Sequence, residues 1–206
     1  MSGVPTLFVA LLKHPKVLAG KVDFRSIKVG FSGASALLVG TKNRSEALTG
    51  GRIVEGYALS ESMVAAVVTP TFGAYKPGSV GLPLPDILVR IVDVDDGHSP
   101  LQPGEVGEIL MHAPQLMQGY WQRPSGTVKT LRPDPASGAR WLHTGDLGYM
   151  DEDGYLSVGR IWLPTRCPGV SSSAMTCRKP PSERYSAANW SDSTSWNRAH
   201  HLRDSP

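Results

Sequence analysis

Between Ser26 and Tyr57 the chain switches period twice. Ser26-Ile27-Lys28-Val29-Gly30-Phe31 alternates as a strand does and stops at Ser32-Gly33, and Ser35 to Leu48 has helical spacing, weakened by Gly40. Arg52-Ile53-Val54-Glu55-Gly56-Tyr57 then returns as a short strand that runs into a polar loop. Strand, helix, strand in so short a span predicts a parallel pair joined by a crossover, with a ligand crevice beyond the carboxyl ends of the strands. The loops Ser32 to Ala36 and Tyr57 to Ser62 are therefore expected on one edge. Upstream, Pro5 to Leu12 reads as a helix, with proline in its first turn and Leu7, Phe8, Leu11 and Leu12 on one face.

From Ser79 the pattern becomes all-β. Strands are expected over Ile87 to Asp93, Glu105 to His112, Leu142 to Met150 and Tyr155 to Val158, with Asp96-Gly97 and Asp153-Gly154 as hairpin turns. The patterning ends near Arg160. From Ile161 to Pro206 only Ile161, Leu163, Val170 and Leu202 are branched aliphatic, against nine serines and five prolines, too little apolar surface to offset chain entropy. The expected organisation is thus an α/β fold: a partial parallel α/β subdomain (1–78), a small antiparallel β subdomain (79–160), and a divergent, disordered tail (161–206).

Composition excludes several function classes. A net charge of +3 from 21 basic and 18 acidic residues gives no basic stripe for nucleic acid. The longest apolar run, Val4 to Leu12, is interrupted by Pro5 and Thr6 and falls short of the ~18 residues a membrane span needs. No basic stretch precedes that run as in a secretory leader. Two cysteines, Cys167 and Cys177, make no disulfide framework, so a reducing compartment is expected: the cytoplasm, or the peroxisome as part of a longer protein.

Taken singly, the polar residues at the strand ends have two readings each. Glu61, flanked by Ser60 and Ser62 and followed by the apolar run Met63 to Val68, is either a solvated loop glutamate or an oxygen ligand for Mg²⁺ and polyphosphate. Asp146, in His143-Thr144-Gly145-Asp146, either satisfies turn amides or accepts from vicinal ribose hydroxyls. His143 reads as structural, and Asp134 and Asp151-Glu152-Asp153 as turn residues and solvated charge. Gly33 through Gly40-Thr41-Lys42 has the wrong spacing for a phosphate-binding P-loop.

Order changes the weighing. Ser32-Gly33-Ala34-Ser35-Ala36-Leu37, Glu55-Gly56-Tyr57-Ala58-Leu59-Ser60-Glu61-Ser62, Gly78-Ser79-Val80-Gly81-Leu82-Pro83, Gly104-Glu105-Val106-Gly107-Glu108-Ile109, Gly119-Tyr120-Trp121-Gln122-Arg123-Pro124 and Trp141-Leu142-His143-Thr144-Gly145-Asp146 follow one another in one chain. The first 160 residues thereby resemble the adenylate-forming (AMP-binding) superfamily, most closely its fatty-acid acyl-CoA synthetases. The resemblance implies that ATP and a fatty-acid-like carboxylate form an acyl-adenylate, from which coenzyme A displaces AMP. It also implies that Ala34, Ser35 and Ala36 line the adenine, Tyr57 packs on its face, Ser60 touches phosphate, and Glu61 holds Mg²⁺. Asp146 would bind the ribose, and Arg160 would reach ribose or phosphate from the hinge.

Ala58 and Ser60 stand where the family usually has glycine and threonine. The family's upstream phosphate loop with its lysine is missing, and its hinge motif stops after Arg160, which is followed by Ile161-Trp162-Leu163. The C-terminal domain with its lysine is missing as well. The expectation is an inactive fragment whose tail was joined by a splicing or reading-frame change, with apolar sheet surface left open to self-association. Alternatives are a non-catalytic nucleotide-binding or interaction module, a non-functional gene product, and an adenylation domain serving a carrier protein.

Overall fold

The computed structural model describes residues 1–63 and 65–162, with the side chains of residues 160–162 outside the description. Two sheets form the body. In the first, β1 (Ser2–Gly3), β2 (Val29–Ser32) and β3 (Arg52–Tyr57) run parallel, and β4 (Val67–Val68) and β5 (Leu82–Pro83) add antiparallel to β3. The crossover from β2 to β3 carries α3 (Val39–Thr49), while α1 (Pro5–Lys13) and α2 (Pro15–Leu18) precede β2. The expected parallel pair is present, and β3 has the predicted bounds. Two local expectations are corrected. Residues 26–28 lie outside β2, and α3 begins four residues later than predicted, because Leu37 is buried in the core with Phe8 and Ile53 while its amide donates to the Glu55 carboxylate at 3.1 Å. That bond and that burial keep residues 35–38 out of the helix, with Leu38 extended as its N-cap. The helix is closed by Gly50 in the left-handed conformation (φ 68°), and it turns Lys42, Ser45 and Thr49 inward.

The second sheet is antiparallel throughout, in the order β10 (Leu156–Trp162), β9 (Arg140–Met150), β7 (Gly107–His112), β6 (Leu88–Val92), with β8 (Leu131–Pro133) also paired to β9. Helix α4 (Pro124–Thr130) leads into β8. Asp153-Gly154 makes the expected tight turn between β9 and β10. Asp96-Gly97 does not join β6 to β7: the chain turns there but returns so that Pro100 bridges Val92, and β7 starts only at Gly107. The main core contains Ile109, Met111, Leu142 and Leu156 of the second sheet together with Ala66 and Val67 beside β3, so both sheets share it. Each fully buried aliphatic side chain there contributes about 1.5–3 kcal/mol. The first sheet thus takes β5 from beyond residue 78, and β10 runs to Trp162, opposite Asp146. The tail expected to be disordered lies, from residue 163 on, outside the described residues. Among the described residues no helix is long and apolar enough to cross a membrane.

Candidate nucleotide site

The parallel pairing of β2 and β3 brings their carboxyl ends to one edge, as the two polar loops require. After β2, Ala34, Ser35 and Ala36 form an exposed loop, with Ala34 in the left-handed region at φ 70°. This loop is anchored by the Leu37 amide on Glu55. Burial, only partly offset by that amide and by nearby Lys42, pushes the Glu55 carboxyl above its ordinary range. Lys42 itself is buried, paired with Glu46, and lies 4.3 Å from the Tyr75 ring centroid. It is thereby withdrawn from the loop, in keeping with the rejection of a P-loop.

After β3 the chain makes a single tight 3₁₀ turn, Ser60–Ser62. The turn separates the two hydroxyls that flank Glu61. Ser62 is buried, accepting from the Leu59 amide and donating to the Leu59 carbonyl, both at 3.1 Å, whereas Ser60 is exposed. Glu61 is not the solvated glutamate of the simpler reading. It is 8% exposed, its carboxylate accepts from the Tyr120 hydroxyl at 2.6 Å, and its carbonyl accepts from the Met117 amide at 2.9 Å. Tyr120 is held in turn by its own amide, which donates to Thr127 of α4. Ala58 occupies the usual glycine position without left-handed backbone, so its Cβ brings no backbone strain there. Gly56 is required for space: a Cβ would lie 2.4 Å from the Phe31 ring.

Tyr57 and Asp146, distant in sequence, meet across the two sheets, the Tyr57 hydroxyl donating to Asp146 Oδ2 at 2.7 Å. An aromatic face and a carboxylate are thus side by side at the carboxyl edge of the parallel strands. The carboxylate retains acceptor capacity on Oδ1 for a pair of vicinal hydroxyls. Arg160 lies on β10, and its expected reach to the nucleotide falls outside the described side chains. Among the described residues no three His, Cys, Asp or Glu side chains group as a metal site. Glu61 alone fits Mg²⁺ only where phosphate oxygens and water complete the shell. The motif Gly119-Tyr120-Trp121 carried the signal for Tyr120, whose contact with Glu61 no local pattern predicts. The other expectations of solvated charge are modified: Asp151 and Asp153 pair with Lys76, and Asp134 with Arg90.

Comparison with known proteins identifies the family. Residues 1–121 match the family described as AMP-binding enzyme. A long-chain-fatty-acid–CoA ligase of Bacillus subtilis is 41% identical over 156 residues, covering 76% of this chain and 26% of that protein. A probable 4-coumarate–CoA ligase 1 of Dictyostelium discoideum is 35% identical over 157 residues, covering 75% and 27%. Among solved structures, ATP-bound MatB from Rhodopseudomonas palustris superposes with a TM-score of 0.64 at 31% identity, over 76% of this chain and 29% of that one. The anthranilate CoA ligase AuaEII in complex with anthranoyl-AMP gives 0.65 at 26% identity, over 76% and 28%. The chain spans about a quarter of the length of the curated relatives it matches. With its strand-end loops, its paired Tyr57 and Asp146 and more than half its length matched, the chain belongs to the AMP-binding enzyme family of adenylate-forming ligases.

Proposed function

We propose that this chain carries part of the nucleotide site of an ATP-dependent acyl-CoA ligase acting on a fatty-acid-like carboxylate. The hydrogen bond between Tyr57 and Asp146 carries the reading, because it sets a purine-stacking face beside a ribose-binding carboxylate. In this reading Ala34, Ser35 and Ala36 border the adenine, Ser60 turns its exposed hydroxyl to phosphate, and Arg160 completes the ribose or phosphate contacts. Glu61 would hold Mg²⁺ at the phosphates, and the ion would supply positive charge there. The carboxylate substrate attacks the α-phosphate, releasing pyrophosphate, and the coenzyme A thiol then displaces AMP. The long-chain-fatty-acid–CoA ligase relatives support the substrate class and the thiol acceptor.

For the 206-residue chain assayed by itself we expect at most weak nucleotide binding and no turnover. Lys42 is paired with Glu46, and Lys76 with Asp151 and Asp153, so neither is free to meet the charge that develops on phosphate. A single missing donor of that kind costs about 10²–10³ in rate. Calorimetry with AMP and Mg²⁺-ATP, alongside a pyrophosphate-release assay over a panel of fatty acids, tests both statements. Asp146→Ala is expected to weaken AMP and ATP alike, and Glu61→Ala to weaken only Mg²⁺-ATP. Unchanged AMP affinity in Asp146→Ala would reject the site. Fatty-acid-dependent pyrophosphate release abolished by Glu61→Ala would reject the expectation of no turnover.

A further inference from the structure

Glu108 is the second residue of β7 and is 7% exposed. The ladder between β7 and β9 is broken beside it: Glu108 faces Leu147 and Leu110 faces His143, so Thr144, Gly145 and Asp146 bulge opposite Ile109 alone. Such a bulge leaves amides without ladder partners, and a buried amide must find another acceptor. The Gly145 amide donates to Glu108 Oε1 at 3.0 Å, while Oε2 lies 3.3 Å from His143 Nδ1. The Thr144 hydroxyl donates to the Ile109 carbonyl at 2.7 Å and accepts the Asp146 amide at 3.1 Å. Gly145 has φ 72°, the left-handed conformation that such a turn requires.

We propose that Glu108 is a positioning residue for Asp146: its buried carboxylate replaces the missing ladder acceptor, grips the bulge at Gly145, and so aims the Asp146 side chain at the nucleotide. The consequence for nucleotide binding rests on the reading of Asp146 given above, whereas the shape of the bulge does not. A carboxylate is suited to this place because one oxygen takes the amide while the other takes the imidazole, which no apolar residue could do.

The test uses the full chain, comparing Glu108→Gln, Glu108→Ala and Leu142→Ala with the parent. Hydrogen exchange and the NMR shift of the Gly145 amide report the bulge, and calorimetry with AMP reports the site. Glu108→Ala should shift the Gly145 amide, speed its exchange at least tenfold, and weaken AMP about tenfold, as loss of a hydrogen bond to a charged group predicts. Glu108→Gln, whose amide oxygen can accept the same proton, should restore both. Leu142→Ala, a cavity in β9, the strand that carries the bulge, should lower the melting temperature and leave AMP affinity unchanged. An unmoved Gly145 amide in folded Glu108→Ala, or a Glu108→Gln no better than Glu108→Ala, overturns the proposal. Were Glu108→Ala not to fold, Glu108→Asp, which retracts the oxygens by one methylene, is read by the same criteria. If Asp146→Ala binds AMP like the parent, the reading of the nucleotide site fails, and the Gly145 amide still decides the role of Glu108.

Discussion

Replacing Tyr57 by phenylalanine removes one hydroxyl and keeps the ring, which separates the two tasks assigned to this residue. The hydroxyl donates to a carboxylate at 2.7 Å, and hydrogen bonds to charged groups are worth about 1.5–3 kcal/mol. Both partners are half-buried, so water replaces the lost donor in part and the cost falls below that range, to about 1 kcal/mol. In a body of this size that lowers the melting temperature by about 2–4 °C. The same loss loosens Asp146, and AMP should bind about three- to tenfold more weakly in Tyr57→Phe. Tyr57→Ala also removes the stacking face, worth about 1–3 kcal/mol for a base, and should weaken AMP by a further tenfold or more. Calorimetry on both variants, with thermal unfolding of each, measures these terms. Tyr57→Phe binding AMP within twofold of the parent with an unchanged melting temperature would refute the claim that the hydroxyl fixes Asp146. Equal affinities in Tyr57→Phe and Tyr57→Ala would show that the ring does not stack.

Tyr120→Phe leaves the buried Glu61 without its phenolic donor and should cost about 1–3 kcal/mol in urea unfolding, with Mg²⁺-ATP affected more than AMP. An unchanged unfolding midpoint would count against that contact. Glu55 is held above its ordinary value of 4.5 by burial, so its neutral form is favoured in the fold. Its contribution is fully present below that pH and is lost as pH rises through the higher folded value. Glu55→Gln should therefore flatten this part of the stability profile and stabilise the chain at pH 7, as urea titrations at several pH values can check. Leu142→Ala, at 0% exposure in the shared core, should cost about 2–5 kcal/mol in the same assay. Leu38, Phe72 and Trp121 stand 75%, 89% and 87% exposed, and size-exclusion chromatography should find oligomers that a clean monomer peak would disprove.

Much of this arrangement is legible in the sequence because it depends on local period and on residue type. Arg52 to Tyr57 alternates between faces and forms β3 over those residues; the change to hairpin spacing after Ser79 foretells the second, antiparallel sheet. The order of short motifs reveals the family, and with it marks Tyr57, Glu61 and Asp146 as the candidates for its site. Strands of two residues, such as β1, β4 and β5, have no period to read and exist only because a neighbouring edge offers hydrogen bonds. The start of α3 was decided by the Leu37 amide on Glu55, a contact spanning 18 residues that outweighs helical propensity from Ser35 to Leu38. The burial of Glu61 was decided by Tyr120, 59 residues away, and the bulge that carries Asp146 by Glu108 on the adjacent strand. A polar residue is read from sequence as solvated because its type favours water. Only the packed sheets bring the donor or acceptor that makes its burial affordable, and that partner sets where the side chain points.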